Sequence, residues 1–244
     1  MLDLSKGHIE FKAITDYVEI PDLDSMDGEL KTIYYEELLA KSLIMRANQR
    51  DPSVSEANQD KIFPYIKHII EWVRSTDFYT SPASTKYHDA CHTGLLTHTL
   101  RVYNQLVALE QVPPFKIVKD SQWWSAVLVV LVHDWCKIGR YEGYWKNVKN
   151  ETTDDWEQVA AYRYKEDDVG RLGHGTQSLI VAMQLCNTKL TSLTFEEMAA
   201  IRWHMDNWDI TKYESEDLYR CNTNIPMVRM VQFADQLAVT SYYW

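Results

Sequence analysis

Two residues that resist burial, His133 and Asp134, follow directly on the unbroken apolar run Ala126 to Val132. An isolated ionised carboxylate in apolar surroundings costs on the order of several kcal/mol, so a core Asp beside a core His requires a cation or a tight partner. Other ligand-type residues carry the same inward signature. His98 shares a helical stripe with Leu95, Val102, Leu106 and Leu109, and Asp235 stands seven, four and three positions from Val228, Val231 and Ala238. His204 falls on the side of Met198, Ile201 and Trp208. His174 is bracketed by Gly173 and Gly175, which let backbone or ligand approach closely. A single inward histidine is more often an ordinary core residue, but six nitrogen and oxygen ligands together suit one or two ions of Mn, Fe, Co, Ni, Zn or Mg.

Helices must position these groups. Asp27 reads as an N-cap ahead of Leu30, Ile33, Tyr34, Leu38 and Ile44, with Asp51-Pro52-Ser53 ending the helix. A second helix is predicted from about Gln59 to Ser75, with Pro64 in its first turn and Ile62, Ile66, Ile69, Ile70 and Val73 inward. The third runs from about Thr93 to Glu110 and is closed by Pro113-Pro114. The fourth, Ser121 to about Trp135, is apolar on nearly all sides, as a helix enclosed by others must be. Between Tyr144 and Tyr164 the pattern alternates around the turn-rich Glu151 to Asp155, which predicts a β-hairpin. Helices resume after Gly173-His174-Gly175, after Thr194, whose spacing to Glu197 is a capping box, and near Pro226.

The totals set bounds. A chain of 244 residues with 45% hydrophobic content and no low-complexity stretch can bury one sizeable core. Its longest apolar run is far shorter than a bilayer span and its first residues lack a signal peptide's apolar segment, so a cytoplasmic protein without membrane contact is expected. The four cysteines, Cys91, Cys136, Cys186 and Cys221, show no paired spacing and read as free thiols. A net charge of -10 disfavours long nucleic acid as a partner, while a small anionic ligand can still find a local cationic pocket.

The order His98, His133-Asp134, Asp235 resembles that of the HD-domain metal-dependent phosphohydrolases. The segments Gly94-Leu-Leu-Thr-His98-Thr-Leu-Arg-Val, Leu131-Val-His-Asp-Trp-Cys-Lys137-Ile-Gly, Gly173-His-Gly, Arg202-Trp-His204 and Phe233-Ala-Asp235-Gln-Leu are similar to those of phage- and bacterium-associated HD hydrolases. They are also similar to the HD domain of bacterial 3′-to-5′ exoribonucleases. The resemblance spans roughly Lys86 to Trp244. It implies an all-α, HD-like helical bundle for the catalytic core, 86–244; with the small hairpin insertion at about 144–164 and an N-terminal helical extension, 1–58, both read from the residues, the chain is expected to be a single domain. It further implies a metal held by His98, His133, Asp134 and Asp235, with His174 and His204 matching histidines that bind a second ion or touch the scissile phosphate. Many members have glycine where this chain has Cys136, while Lys137 keeps the family's lysine.

The expected activity is hydrolysis of a phosphate ester or anhydride in a small nucleotide by metal-activated water, with Asp134, Lys137, His174 and His204 as catalytic residues. Of the cations Lys137, Arg140, Lys146, Lys149, Arg163, Lys165 and Arg171, the first two lie within about a turn of the metal pair and are expected to bind substrate oxygens. Lys149 and Lys165 read as solvated surface. Tyr144 and Trp145 are expected to stack on a base from an overhanging hairpin, whereas Trp203 and Trp208 read as core by helical phase. His88 and His92 either line the pocket or belong to a turn. Two other functions compete: a 3′-to-5′ exonuclease or cyclic-nucleotide phosphodiesterase using the same centre, and a catalytically silent nucleotide-binding protein with a structural metal. The first 58 residues either dock on the core or make a contact in a homo-oligomer.

Overall fold

A computed structural model describes residues 1–14, 22–113, 120–150, 152–168 and 172–240, which form eight α-helices and one two-stranded antiparallel sheet. Pro114, Glu151 and Arg171, named above, lie outside the described residues.

Helix α1 (Gly28–Arg50) starts where Asp27 accepts a hydrogen bond from the Leu30 N–H at 2.8 Å, which satisfies one of the helix's orphan donors. Instead of one apolar face it is enclosed along most of its length, with Tyr35, Leu38, Leu39, Leu43, Ile44 and Ala47 fully buried. Leu30, expected inside, is 43% exposed near the free N-terminal end. Periodicity could not show this burial because Glu36, Glu37 and Arg46 also point inward, each with a partner. Arg74 donates to Glu36 at 2.7 Å, the backbone N–H groups of Lys12, Ala13 and Ile14 donate to Glu37, and Arg46 grips Glu197. The first residues are thereby tied to the core through carboxylates.

Helix α2 (Phe63–Arg74) begins four residues later than its apolar pattern suggests. Gln59 is buried outside it, exchanging hydrogen bonds of 2.8 and 3.0 Å with the backbone of Ile9. Helix α3 (Gly94–Glu110) packs along α8 (Pro226–Thr240), and α4 (Asp120–Val132) packs along α1. From Ala126 to Val132, α4 is almost wholly buried. It ends sooner than expected: Asp134 has φ -107° and ψ 15°, and Trp135–Lys137 form a 3-10 turn. That exit is clamped, because Trp135 Nε1 donates to the Tyr35 hydroxyl at 3.2 Å and that hydroxyl donates to the Leu131 carbonyl at 3.1 Å.

The hairpin is present, with β1 (Tyr141–Lys149) paired to β2 (Trp156–Tyr164) in the register Tyr141↔Tyr164 to Lys149↔Trp156. It therefore begins three residues before the expected Tyr144. Helices α5 (His174–Leu185) and α6 (Phe195–Trp203) cross closely, and a Cβ on Gly175 would lie 2.1 Å from the Arg202 carbonyl oxygen. Thr194 and Glu197 form the capping box of α6. Helix α7 (Ser215–Asn224) had no apolar stripe to announce it, since only Leu218 is buried. No helix among the described residues is long and apolar enough to cross a membrane.

Candidate metal centre

Helix α3 supplies His98 from its second turn, the exit of α4 supplies His133 and Asp134, and α5 begins at His174. His204 is the C-cap of α6, and Asp235 comes from the middle of α8. A side-chain hydrogen bond fixes the last two elements together: Gln232 of α8 donates to the Trp203 carbonyl at 2.8 Å. All six ligand-type residues of the sequence pattern are brought to one place.

Asp134 is the middle of the cluster. Its Oδ2 lies 3.3 Å from Nε2 of His98 and 3.3 Å from Nε2 of His133, while its Oδ1 lies 2.6 Å from Nε2 of His174 and 3.8 Å from Nε2 of His204. The carboxylate thus turns one oxygen to each of two imidazole pairs. Asp235 Oδ1 adds to the first pair, 3.2 Å from His98 Nε2 and 3.9 Å from His133 Nε2. Lys137, three residues after Asp134, places Nζ 2.7 Å from its Oδ2.

The tautomers suit ligation. His133 Nδ1 donates to the Val130 carbonyl at 2.6 Å and His204 Nδ1 donates to the Ile201 carbonyl at 2.8 Å, which turns each Nε2 toward the cluster, where the neutral ring presents its lone pair. Both Nε2 atoms are buried and without a well-aligned hydrogen-bond partner, a cost that a coordinated cation removes. Three sets, His98/His133/Asp235, His133/Asp134/His204 and Asp134/Cys136/His174, each place their ligand atoms within 4.8 Å of one another and could hold a metal ion. Cys136, read from its spacing as a plain thiol, belongs to the last set. Its only sequence signal was its position two residues after Asp134.

The electrostatics follow from burial and charge. Burial works against ionising Asp134, yet Lys137 and then His133 hold its carboxyl well below the usual range. Asp235 is largely buried, which works the same way, and His98 and His133 hold its carboxyl down. Burial opposes a proton on His98, but hydrogen bonds to Asp134 and Asp235 raise its pKa. His174 is pushed up to about 9 against its burial by the Cys136 sulfur and Asp134. His204 goes the other way, to about 3, because burial and the charges of His133 and His174 disfavour its proton. Lys137 is held charged, Asp134 outweighing burial.

A cavity of about 440 Å³ opens onto this cluster, lined by His98, Asp134, His174, His204 and Asp235 together with Lys137. His88 lines it too, with its ring centroid 4.9 Å from that of His98, and burial followed by the charges of His98 and Lys137 pushes it down to about 4. His92 is exposed. The other expected substrate contacts are elsewhere. Arg140 is fastened to both oxygens of Asp168 at 2.6 Å and to Gln177 at 3.2 Å, so it staples the segment after the hairpin to α5 instead of facing the cavity. Tyr144 lines a separate groove with Lys86, Lys146 and Arg163, and Trp145 is 68% exposed on the strand. No hairpin residue lines the cavity over the His–Asp cluster, and most of both strands is exposed. Lys149 pairs with Asp154 at the exposed hairpin turn, as a solvated residue would. Trp203 packs partly against the core, whereas Trp208 is 86% exposed: α6 stops at Trp203, so its helical phase does not reach position 208.

Comparisons with protein-family models, curated proteins and solved structures find no match to this chain.

Proposed function

We propose that the protein is a divalent-metal-dependent phosphohydrolase of the HD type, acting on a phosphate ester or anhydride of a small nucleotide. The observation that carries this reading is the split environment of Asp134, whose two oxygens face His98 and His133 on one side and His174 and His204 on the other. His98, His133 and Asp235 on one side of Asp134, and His174 and His204 on the other, would hold one or two divalent cations with it. When bound, a divalent cation supplies Lewis acidity and lowers the pKa of a coordinated water toward neutrality. Lys137 lines the cavity with a fixed positive charge and is placed to offset charge on a phosphate oxygen. His88 presents a neutral ring at physiological pH to the same space. The cavity's access to the cluster favours catalysis over a closed structural site, which leaves no coordination position open. An all-helical HD-like bundle accounts for this arrangement of α3, α4, α5, α6 and α8.

A panel of nucleotides with Mn, Co, Ni, Zn or Mg tests the proposal by phosphate release. Turnover is expected with the wild type and is expected to fall at least a hundredfold in Asp134→Ala; an Asp134→Ala protein with full activity refutes it. A second reading, a 3′-to-5′ exonuclease, draws on the groove between the hairpin and the 85–90 loop, where Lys86, Lys146 and Tyr144 offer cations and an aromatic face. Shortening of a labelled single-stranded oligonucleotide, with mononucleotides untouched, would favour it.

A further inference from the structure

The cavity has two chemically different ends. Its floor is the His–Asp cluster with Lys137, and its rim is formed by Met205 and Trp208 after α6 and by Gln236, Val239 and Thr240 of α8. Several large apolar side chains are exposed on this protein, but Trp208, at 86% exposure, also stands at the mouth of the site. The turn that carries it is anchored. Asp209 accepts from the Gly175 N–H at 2.8 Å and from Arg202 Nη1 at 3.4 Å, and Arg202 is itself fixed by Glu214 at 2.7 Å. Trp208 N–H donates to the Met205 carbonyl at 3.1 Å, and Asp206 between them adopts φ +50°, a left-handed conformation that a non-glycine residue rarely takes. A well-tethered turn thus places an open indole face at the mouth of the cavity.

We propose that Trp208 is the stacking platform for the planar heteroaromatic ring of the substrate, and so a specificity-determining residue. The substrate then lies with its phosphoryl group on the His–Asp floor and its base on the rim, against Trp208, Met205 and Val239. Gln236, whose amide both donates and accepts, stands on the same rim where it can read an edge of the base. This rests on the phosphohydrolase reading and assigns, for that site, the residue that selects a nucleotide over a sugar phosphate with the same phosphoester.

The test compares the four ribonucleoside 5′-monophosphates with ribose 5-phosphate, using wild type, Trp208→Ala and Trp208→Phe. The preference for nucleotide over sugar phosphate, read as the ratio of kcat/KM values, is expected to fall about tenfold in Trp208→Ala, in keeping with base–aromatic stacking, and to be largely kept in Trp208→Phe. An unchanged ratio in Trp208→Ala overturns the assignment. Binding is read independently of turnover by titrating the same nucleotides into metal-free protein and following tryptophan fluorescence. Quenching that Trp208→Phe abolishes and ribose 5-phosphate does not reproduce supports stacking; quenching indifferent to position 208, or none, overturns it. If the wild type hydrolyses neither these esters nor any member of the nucleotide panel, the phosphohydrolase reading falls, and the fluorescence titration alone decides the role of Trp208.

Discussion

Asp134 is a buried carboxylate held ionised by neighbours that are themselves titratable, and this sets how the centre responds to pH. His174 hydrogen-bonds Asp134 at 2.6 Å and retains its proton up to about pH 9, but a nitrogen must lose its proton to bind a metal. The sign follows: cation binding displaces that proton, so affinity rises as pH is raised toward 9 and falls as pH is lowered. Isothermal titration calorimetry with Mn in buffers of different ionisation enthalpy is expected to show proton release and tighter binding at pH 8.5 than at pH 6.5. Affinity that is flat across this interval contradicts the arrangement. At this scale the members of the His–Asp cluster were legible because a His or Asp inside an apolar stripe breaks the pattern that surrounds it. Cys136, Met205 and Trp208 sit on turns, where no period tells inside from outside, so beyond the nearness of Cys136 to Asp134 nothing in the sequence distinguished them from filler or core.

Helix contacts bring these residues together, and at the crossing of α5 and α6 backbone meets backbone closely. Gly175 follows His174 directly, and its missing side chain lets the Arg202 carbonyl approach two residues before His204. Gly175→Ala is expected to force the two helices apart, lowering stability by about 1–3 kcal/mol and separating His174 from His204. Urea denaturation and Mn affinity measured together check this; a variant with wild-type affinity would show that the crossing does not set the geometry. The capping box at Thr194 could be read from the chain because it depends on a local spacing, and Thr194→Ala is expected to cost about 1 kcal/mol in the same denaturation assay. Helix α7 could not be read, since a polar helix with one buried residue leaves no stripe. Tyr144 and Trp145 were placed on a hairpin correctly, but where a hairpin leans depends on tertiary contacts that strand alternation does not encode.

Across the molecule, α1 joins the N-terminal segment to the helices that carry the His–Asp cluster. Its Arg46 forks onto Glu197 of α6, with Nη2 to Oε2 at 2.6 Å, and both side chains are fully buried. Glu197 is also the N3 residue of the capping box, so one side chain caps α6 and neutralises α1. Removing it in Glu197→Ala leaves a buried guanidinium unpaired, and a loss of about 3–5 kcal/mol is expected from chemical denaturation. A loss below about 1 kcal/mol would mean that the pair contributes little. An inward charge looks like an outward one in a periodicity count, which is why a helix legible only as an apolar face and an N-terminal extension lies enclosed among the others. The most direct test of the central claim is an anomalous-difference map from crystals grown with saturating Mn. It is expected to show a peak bonded to His98, His133, Asp134 and Asp235 at about 2.0–2.3 Å; no peak among these side chains would contradict the account.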